Sequence, residues 1–123
     1  PPQSWHPDVW TDVTRMRSLN TFQGSNGREK HLCPLPLDIV ERLIAQLTMP
    51  GETVYDPFMG IGTVPYMAIK LGRRGWGVEL NEHYFRDAAY YCDAAAKQAA
   101  VPTLFDIEAE LNRSKDHDVG PRT

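Results

Sequence analysis

Little in this sequence suits a membrane span, an export route or a disulfide framework. Its apolar runs are short and broken by Gly, Pro or charge, so no stretch could cross a bilayer. No basic leader runs into an apolar core, so nothing reads as a signal peptide, and a cytoplasmic protein is expected. The two cysteines, Cys33 and Cys92, lie far apart and form no CxxC. A reduced intracellular protein is the direct reading, with a single disulfide as the alternative. No metal site is expected.

An excess of positive charge is also missing. Thirteen Lys and Arg face 16 Asp and Glu, for a net charge of −3. Duplex binding normally needs a clustered basic face that displaces condensed counterions, so this chain is not expected to grip nucleic acid alone. The short basic groups, Arg15 with Arg17, Arg28 with Lys30 and Arg73 with Arg74, have acids among or near them and read as solvated surface. There is no internal repeat. The sequence opens Pro1-Pro2-Gln3 without an initiator Met, which reads as a piece of a longer chain.

What is present is a sequence of 123 residues, 41% hydrophobic and 24% charged, enough for one small domain with one core. Residues 1–30 are polar and turn-rich, with Trp5, Trp10 and Phe22 as scattered anchors and Ser25-Asn26-Gly27 as a turn. They read as an irregular lead-in that packs on something larger. Residues 31–100 carry the regular pattern. Asp38 is placed as an N-cap, and Ile39, Val40, Leu43, Ile44 and Leu47 recur at helical spacing, predicting a helix over about 38–48 between Pro36 and Pro50-Gly51.

A short strand follows over 52–56, then the glycine loop Gly60-Ile61-Gly62 and a helix over 63–71 stopped by Gly72. A second strand covers 74–79. Asn81 then caps a long helix to about Gln98, with Tyr84, Phe85, Ala88, Tyr91, Cys92 and Ala95 as its apolar stripe. The tail, 101–123, is charged, with a weak helical pattern at Leu104, Ile107, Glu108 and Leu111 and disorder expected after Arg113. Strand, loop, helix, strand, helix is a βαβα unit, so the fold class is α/β with parallel, adjacent strands and flanking helices. In such sheets ligands bind beyond the carboxyl ends of the strands, where the glycine loop and Glu79 both fall.

The residue types at that edge suit a nucleoside. Gly60 and Gly62 let the backbone approach a ligand, and the helix after them aims free N–H groups at the same space. Glu79 can accept both hydroxyl hydrogens of a ribose, and its charge would repel a 2′-phosphate. Asp56 can take a cationic amine or a bridging water. A lone GxG is common, but GxG between strand and helix, with an acid ending the next strand, has the context such motifs require. The dinucleotide fingerprint wants a third glycine where this chain has Pro65, a residue that would pack the helix tightly on the sheet and free an N–H for the pyrophosphate. Pro65 suits a helix's first turn but removes that donor, which favours a ligand without a pyrophosphate.

Asp56-Pro57-Phe58-Met59-Gly60-Ile61-Gly62-Thr63 resembles the DPFxGxGT cofactor motif of DNA N6-adenine and N4-cytosine methyltransferases. The run from His31 through Pro34 and Pro36 to Ile44 resembles the H-x-x-P segment and helix before that motif. Leu71-Gly72-Arg73-Arg74-Gly75-Trp76-Gly77-Val78-Glu79-Leu80-Asn81 resembles its LGRRxxGxE strand, and Tyr84-Phe85 matches the following helix. Three separated motifs in the right order, over about residues 10–98, make the resemblance specific. It implies a Rossmann-like methyltransferase fold and S-adenosylmethionine as cofactor, in the setting of bacterial or phage restriction-modification. Asp56, Pro57, Phe58, Gly60 and Gly62 would line the methionine and adenosine side, with Glu79 and Asn81 at the ribose end. Phe58 would pack near the sulfonium, where an aromatic face suits a cation, or else serve as a strand-end core aromatic. His31 and Pro34 would close over the methionine end, although a structural role also suits His31. Many relatives place a lysine in that segment; this chain has none after His31, which leaves Lys30 or Thr63 for the methionine carboxylate.

Catalysis in that family uses a (D/N/S)PP(Y/F/W) tetrapeptide, whose first residue accepts from the target amino group and whose ring stacks on the flipped base. None occurs here: Pro1-Pro2 is followed by Gln3, and Asp56-Pro57 by Phe58. No catalytic residue is therefore expected in this chain. It should hold the methyl donor, while DNA is contacted mainly by sequence outside it, with a partner chain or a homodimer as further partners. The implied target is an exocyclic amine, N6 of adenine ahead of N4 of cytosine. The alternatives are a non-catalytic, partner-completing module and a dinucleotide-dependent oxidoreductase fragment.

Overall fold

The computed structural model describes residues 9–19 and 34–116. His31, Cys33, the 25–27 turn, Trp5 and Phe22 lie outside them. The elements are α1 (Leu37–Leu47), β1 (Thr53–Asp56), α2 (Thr63–Lys70), β2 (Arg74–Gly77), α3 (Glu82–Ala100) and α4 (Leu104–Asp116). β1 and β2 pair in parallel, with Thr53 opposite Arg74 and Asp56 opposite Gly77. This is the expected α/β crossover unit. No described helix is long and apolar enough to cross a membrane.

The start of α1 differs from expectation. Pro36, extended at φ −60° and ψ 132°, occupies the cap and makes no side-chain cap bond. Asp38 sits inside the first turn instead, because residues 9–19 run along the helix and consume its free groups. The Leu37 N–H donates to the Arg17 carbonyl (2.8 Å), so Leu37 enters the helix and is buried. Asp38 accepts from the Thr14 N–H (2.7 Å) and from Arg17 (2.6 Å), and Arg17 also reaches Glu41 (2.7 Å). The Thr14 N–H, then the Arg17 guanidinium, hold the Asp38 carboxyl below its ordinary range. Glu41, then Asp38, raise Arg17. Further along, buried Arg42 pairs with Asp12 (2.7 Å) and lies 5.4 Å from the Trp10 ring.

One core lies between α1, α2 and α3 on a single face of the sheet, built on Val40, Ile44, Ile61, Met67, Ala68 and Tyr91. Buried Leu19 joins it and accepts a hydrogen bond from the Tyr91 hydroxyl (2.6 Å). On α3, Ala88, Tyr91 and Ala95 are buried, Tyr84 and Cys92 are half-buried, and Phe85 is exposed, so the expected stripe narrows at its N-terminal end. Cys92 carries a free thiol whose pKa burial pushes up, and Cys33, the other cysteine of the disulfide alternative, lies outside the described residues.

Two glycines set how closely these layers approach. Gly62 caps α2 in the left-handed region (φ 89°), and a Cβ there would lie 2.8 Å from the Ala88 Cβ. Gly75, in β2, faces the Pro65 backbone: a Cβ would fall 2.5 Å from its carbonyl oxygen and 2.7 Å from its Cα. The close packing of helix on sheet that a third loop glycine would provide is thus achieved from the strand side. This overturns half of the sequence argument from Pro65; only the lost N–H donor still separates this loop from the dinucleotide pattern.

Arg73 also departs from the solvated reading. It donates to the Thr48 hydroxyl (2.9 Å), the Thr48 carbonyl (2.8 Å) and the Leu71 carbonyl (2.6 Å), tying the ends of α1 and α2 together. The tail differs as well. Thr103 and Asp106 exchange capping bonds (Thr103 N–H to Asp106 at 2.9 Å, Asp106 N–H to Thr103 at 3.2 Å), and α4 runs past Arg113 to Asp116.

Candidate functional site

β1 delivers Asp56 to the carboxyl edge of the sheet, and the chain turns there on Asp56 itself, whose Oδ1 accepts the Phe58 N–H (2.9 Å). The Met59 N–H then bonds the Val78 carbonyl (3.1 Å), and the Val78 N–H bonds the Asp56 carbonyl (3.1 Å). These two bonds fasten the glycine loop to the end of β2. They bring the loop and the Glu79 turn to one edge, as the topology requires. β2 itself stops at Gly77, so Glu79 lies two residues past the strand rather than closing it. The reason is its own turn: Glu79 Oε1 accepts the Asn81 N–H (2.8 Å), which bends the chain into α3. Asn81 caps α3 as expected, accepting from His83 (3.0 Å) and Tyr84 (3.2 Å).

A cleft of about 100 Å³ opens at this edge, and Asp56, Phe58, Gly60 and Thr63 line it together with Leu35 and Met59. Four of the ten anticipated residues therefore meet in one place. Pro57, Gly62, Glu79 and Asn81 lie beside the cleft in sequence but do not line it. Pro34 is half-buried with its neighbour Leu35 taking the lining position, and His31 lies outside the described residues. Gly62 is committed to helix packing against Ala88. Phe58 is 88% exposed, which rules out the core-aromatic alternative. Leu80, between Glu79 and Asn81, is 97% exposed, an apolar side chain that sequence reasoning passed over. Its signal was available: a large aliphatic residue between two polar turn residues has no core to enter.

The chemistry on offer is compact. Asp56 and Glu79 each spend one oxygen on their own turn, and the other has no partner among the described residues. The Thr63 and Val64 N–H groups, in the first turn of α2, also have no backbone partner there. Acceptors for an amine and for hydroxyls thus stand beside donors for a carboxylate, and exposed Phe58 and Leu80 offer apolar faces. The cleft is small beside usual ligand pockets, which run to roughly 300–1,000 Å³. It can enclose one end of a nucleoside-sized ligand, and the other end would extend along the open edge toward Glu79.

The model of the DNA methylase family of N6 and N4 methyltransferases matches residues 1–90. A type II methyltransferase of Moraxella bovis, M1.MboII, is 34% identical over 83 residues, covering 68% of this chain and 32% of that enzyme. The DNA adenine methyltransferase YhdJ of Escherichia coli is 31% identical over 105 residues, covering 81% of this chain and 34% of its own length. A solved Thermus thermophilus chain, a candidate DNA modification methylase, aligns with 54% of this chain and 27% of that one, at TM-score 0.46 and 36% identity. The chain spans about a third of the length of the two enzymes. With a match over most of its residues, including the glycine loop and Glu79, the chain belongs to the DNA methylase family.

Proposed function

We propose that this chain supplies the S-adenosylmethionine-binding edge of a DNA amino-methyltransferase, and that the groups acting on the base come from sequence outside it. The observation that carries the reading is the cleft of Asp56, Phe58, Gly60 and Thr63, fastened by the Met59–Val78 bond to the Glu79 turn. The residues fit the cofactor. The free Asp56 oxygen would hold the methionine ammonium, the Thr63 and Val64 N–H groups the carboxylate, and Glu79 the ribose hydroxyls. Phe58 would lie against the sulfonium and Leu80 against the base, with Pro57 shaping the turn, Gly60 leaving the approach open, and Pro34, His31 and Asn81 around the rim.

When bound, the cofactor supplies an electrophilic methyl group. No (D/N/S)PP(Y/F/W) tetrapeptide occurs in the sequence, so on this reading the chain alone would not methylate DNA. DNA contact would likewise fall to other sequence. Among the basic groups, Arg17 and Arg73 are already engaged within the fold. N6 of adenine is the proposed target ahead of N4 of cytosine.

Calorimetric titration with S-adenosylhomocysteine and with NAD tests the cofactor reading. Binding of the first and not the second is expected. Equal binding of both, or of neither, would refute it.

A further inference from the structure

Every second residue of β2 is a glycine, and strand alternation turns Gly75 and Gly77 toward the same layer, that of the helices. Gly75 receives the Pro65 backbone, whereas Gly77 receives a side chain. A Cβ at Gly77 would overlap the Met59 sulfur and lie 2.8 Å from the Met59 Cβ and 3.0 Å from its Cγ. The Met59 side chain therefore lies across the end of β2, in the space that a side chain of residue 77 would fill. Gly77 has no positive φ, so its backbone would accept a Cβ without strain. Only the contact with Met59 opposes one.

The Met59 backbone is anchored as well. Its N–H donates to the Val78 carbonyl (3.1 Å), and its carbonyl accepts the Gly62 N–H (2.8 Å). Half-buried, it lines the cleft between Phe58 and Gly60. One residue thus touches both parts of the edge. On one side is the loop that carries Asp56, Phe58 and Thr63; on the other is the strand that runs on through Val78 to Glu79. A thioether suits this place, because an unbranched, polarisable chain fills an irregular gap.

We propose that Met59, seated on Gly77, is a positioning residue that sets the span between the Asp56 loop and the Glu79 turn. Through that span it selects a nucleoside with an amino-acid chain over a bare nucleoside. The inference rests on the cofactor reading above, in which Asp56 and the first turn of α2 hold the amino acid and Glu79 holds the ribose. A ligand that engages two sites at once gains from the second only when their separation matches its own length. Truncating Met59, or displacing it from Gly77, frees the loop to shift relative to the Glu79 turn. Each end keeps its own groups, but the two cease to act together.

The test is titration of the full chain with S-adenosylhomocysteine and with adenosine, which has the ribose and lacks the amino acid. Calorimetry reads the first, and ligand-observed NMR reads the second, weaker one. Met59→Ala and Gly77→Ala should each weaken S-adenosylhomocysteine about tenfold or more and change adenosine by less than about twofold. Met59→Leu, which conserves volume, should stay within about threefold of the wild type for both ligands. Glu79→Ala should weaken both, since both carry the ribose. A cooperative urea transition shows that a variant has folded, and if Gly77→Ala does not fold, Met59→Ala decides alone. Equal losses of both ligands in folded Met59→Ala, or unchanged S-adenosylhomocysteine binding in it, would overturn the positioning role and leave the cofactor reading intact. A wild type that binds S-adenosylhomocysteine no more tightly than adenosine would overturn the cofactor reading, and this inference with it.

Discussion

The three glycine positions Gly51, Gly62 and Gly75 separate two costs that usually arrive together. At Gly51 the backbone is left-handed (φ 84°) but a Cβ would meet nothing within 4 Å, so alanine there adds strain alone. At Gly75 no positive φ is involved, but a Cβ would collide with the Pro65 backbone at 2.5–2.9 Å. At Gly62 both apply: φ is 89°, and the Cβ would lie 2.8 Å from the Ala88 Cβ and 2.9 Å from its Cα. Left-handed backbone costs a residue with a Cβ about 1–2 kcal/mol, offset in part by the reduced freedom of the unfolded chain. Forcing atoms into a packed contact costs about 1–3 kcal/mol. Gly51→Ala should therefore cost about 1 kcal/mol, Gly75→Ala about 1–3, and Gly62→Ala about 2–4.

Urea denaturation at matched slope reads the differences directly, in sulfate-containing buffer so that the least stable variant retains a folded baseline. Repeating Gly62→Ala in an Ala88→Gly background removes the Cβ–Cβ contact and leaves the backbone strain and the 2.9 Å approach to the Cα of residue 88, so the added penalty should shrink without vanishing. If Gly62→Ala is no more destabilising than Gly51→Ala, the close approach of α2 to α3 is wrong and the packing argument fails with it.

Glu79→Ala should weaken S-adenosylhomocysteine binding by about 1–3 kcal/mol, the scale of hydrogen bonds to a charged group, and unchanged affinity in calorimetry would remove Glu79 from the ribose. Asp38 is held below its ordinary pKa by the Thr14 N–H and Arg17. Its contribution is therefore complete above the unfolded carboxylate range and lost as pH falls through the depressed folded value. Asp38→Asn should lower stability at neutral pH and flatten its acid limb, and identical acid unfolding profiles would contradict that linkage. Thr103→Ala removes the cap exchanged with Asp106, worth about 1 kcal/mol, from a helix whose residues 104–114 are all exposed. Far-UV ellipticity should fall while the urea midpoint of the core stays put; a shifted midpoint would mean α4 is packed.

The regular elements were legible because their signals are local. The 3.6-residue spacing of Val40, Ile44 and Leu47, the proline and glycine brackets, and Asn81 ahead of α3 all act within a turn or two of themselves. The misplaced features share a different origin. Asp38 looks like a cap until Arg17 and Thr14, more than twenty residues earlier, arrive to claim it. Arg73 looks solvated until Thr48 comes within 2.9 Å. The start of α4 carries a local signal too, since Thr103 and Asp106 stand three residues apart as a capping pair.

The site was legible in its order and not in its division of labour. Spacing alone placed Asp56, Gly60 and Glu79 at one edge, because a right-handed crossover leaves no other arrangement for strand, loop and strand. What spacing cannot show is which glycine faces a ligand and which faces a helix. Gly60 lines the cleft, whereas Gly62, two residues on, is spent against Ala88, and the glycine that seats α2 on the sheet is Gly75, thirteen residues downstream of the loop. A glycine motif therefore records two demands, close approach to a ligand and close approach of layers, in the same letter. They separate only when the opposing atoms are known. The same holds for Phe58: an aromatic at a strand end suits a core or a ligand equally until the structure shows it exposed at the carboxyl edge. Such a residue is stabilising only once something covers it, so the carboxyl edge is the part of this fold with most to gain from a bound ligand.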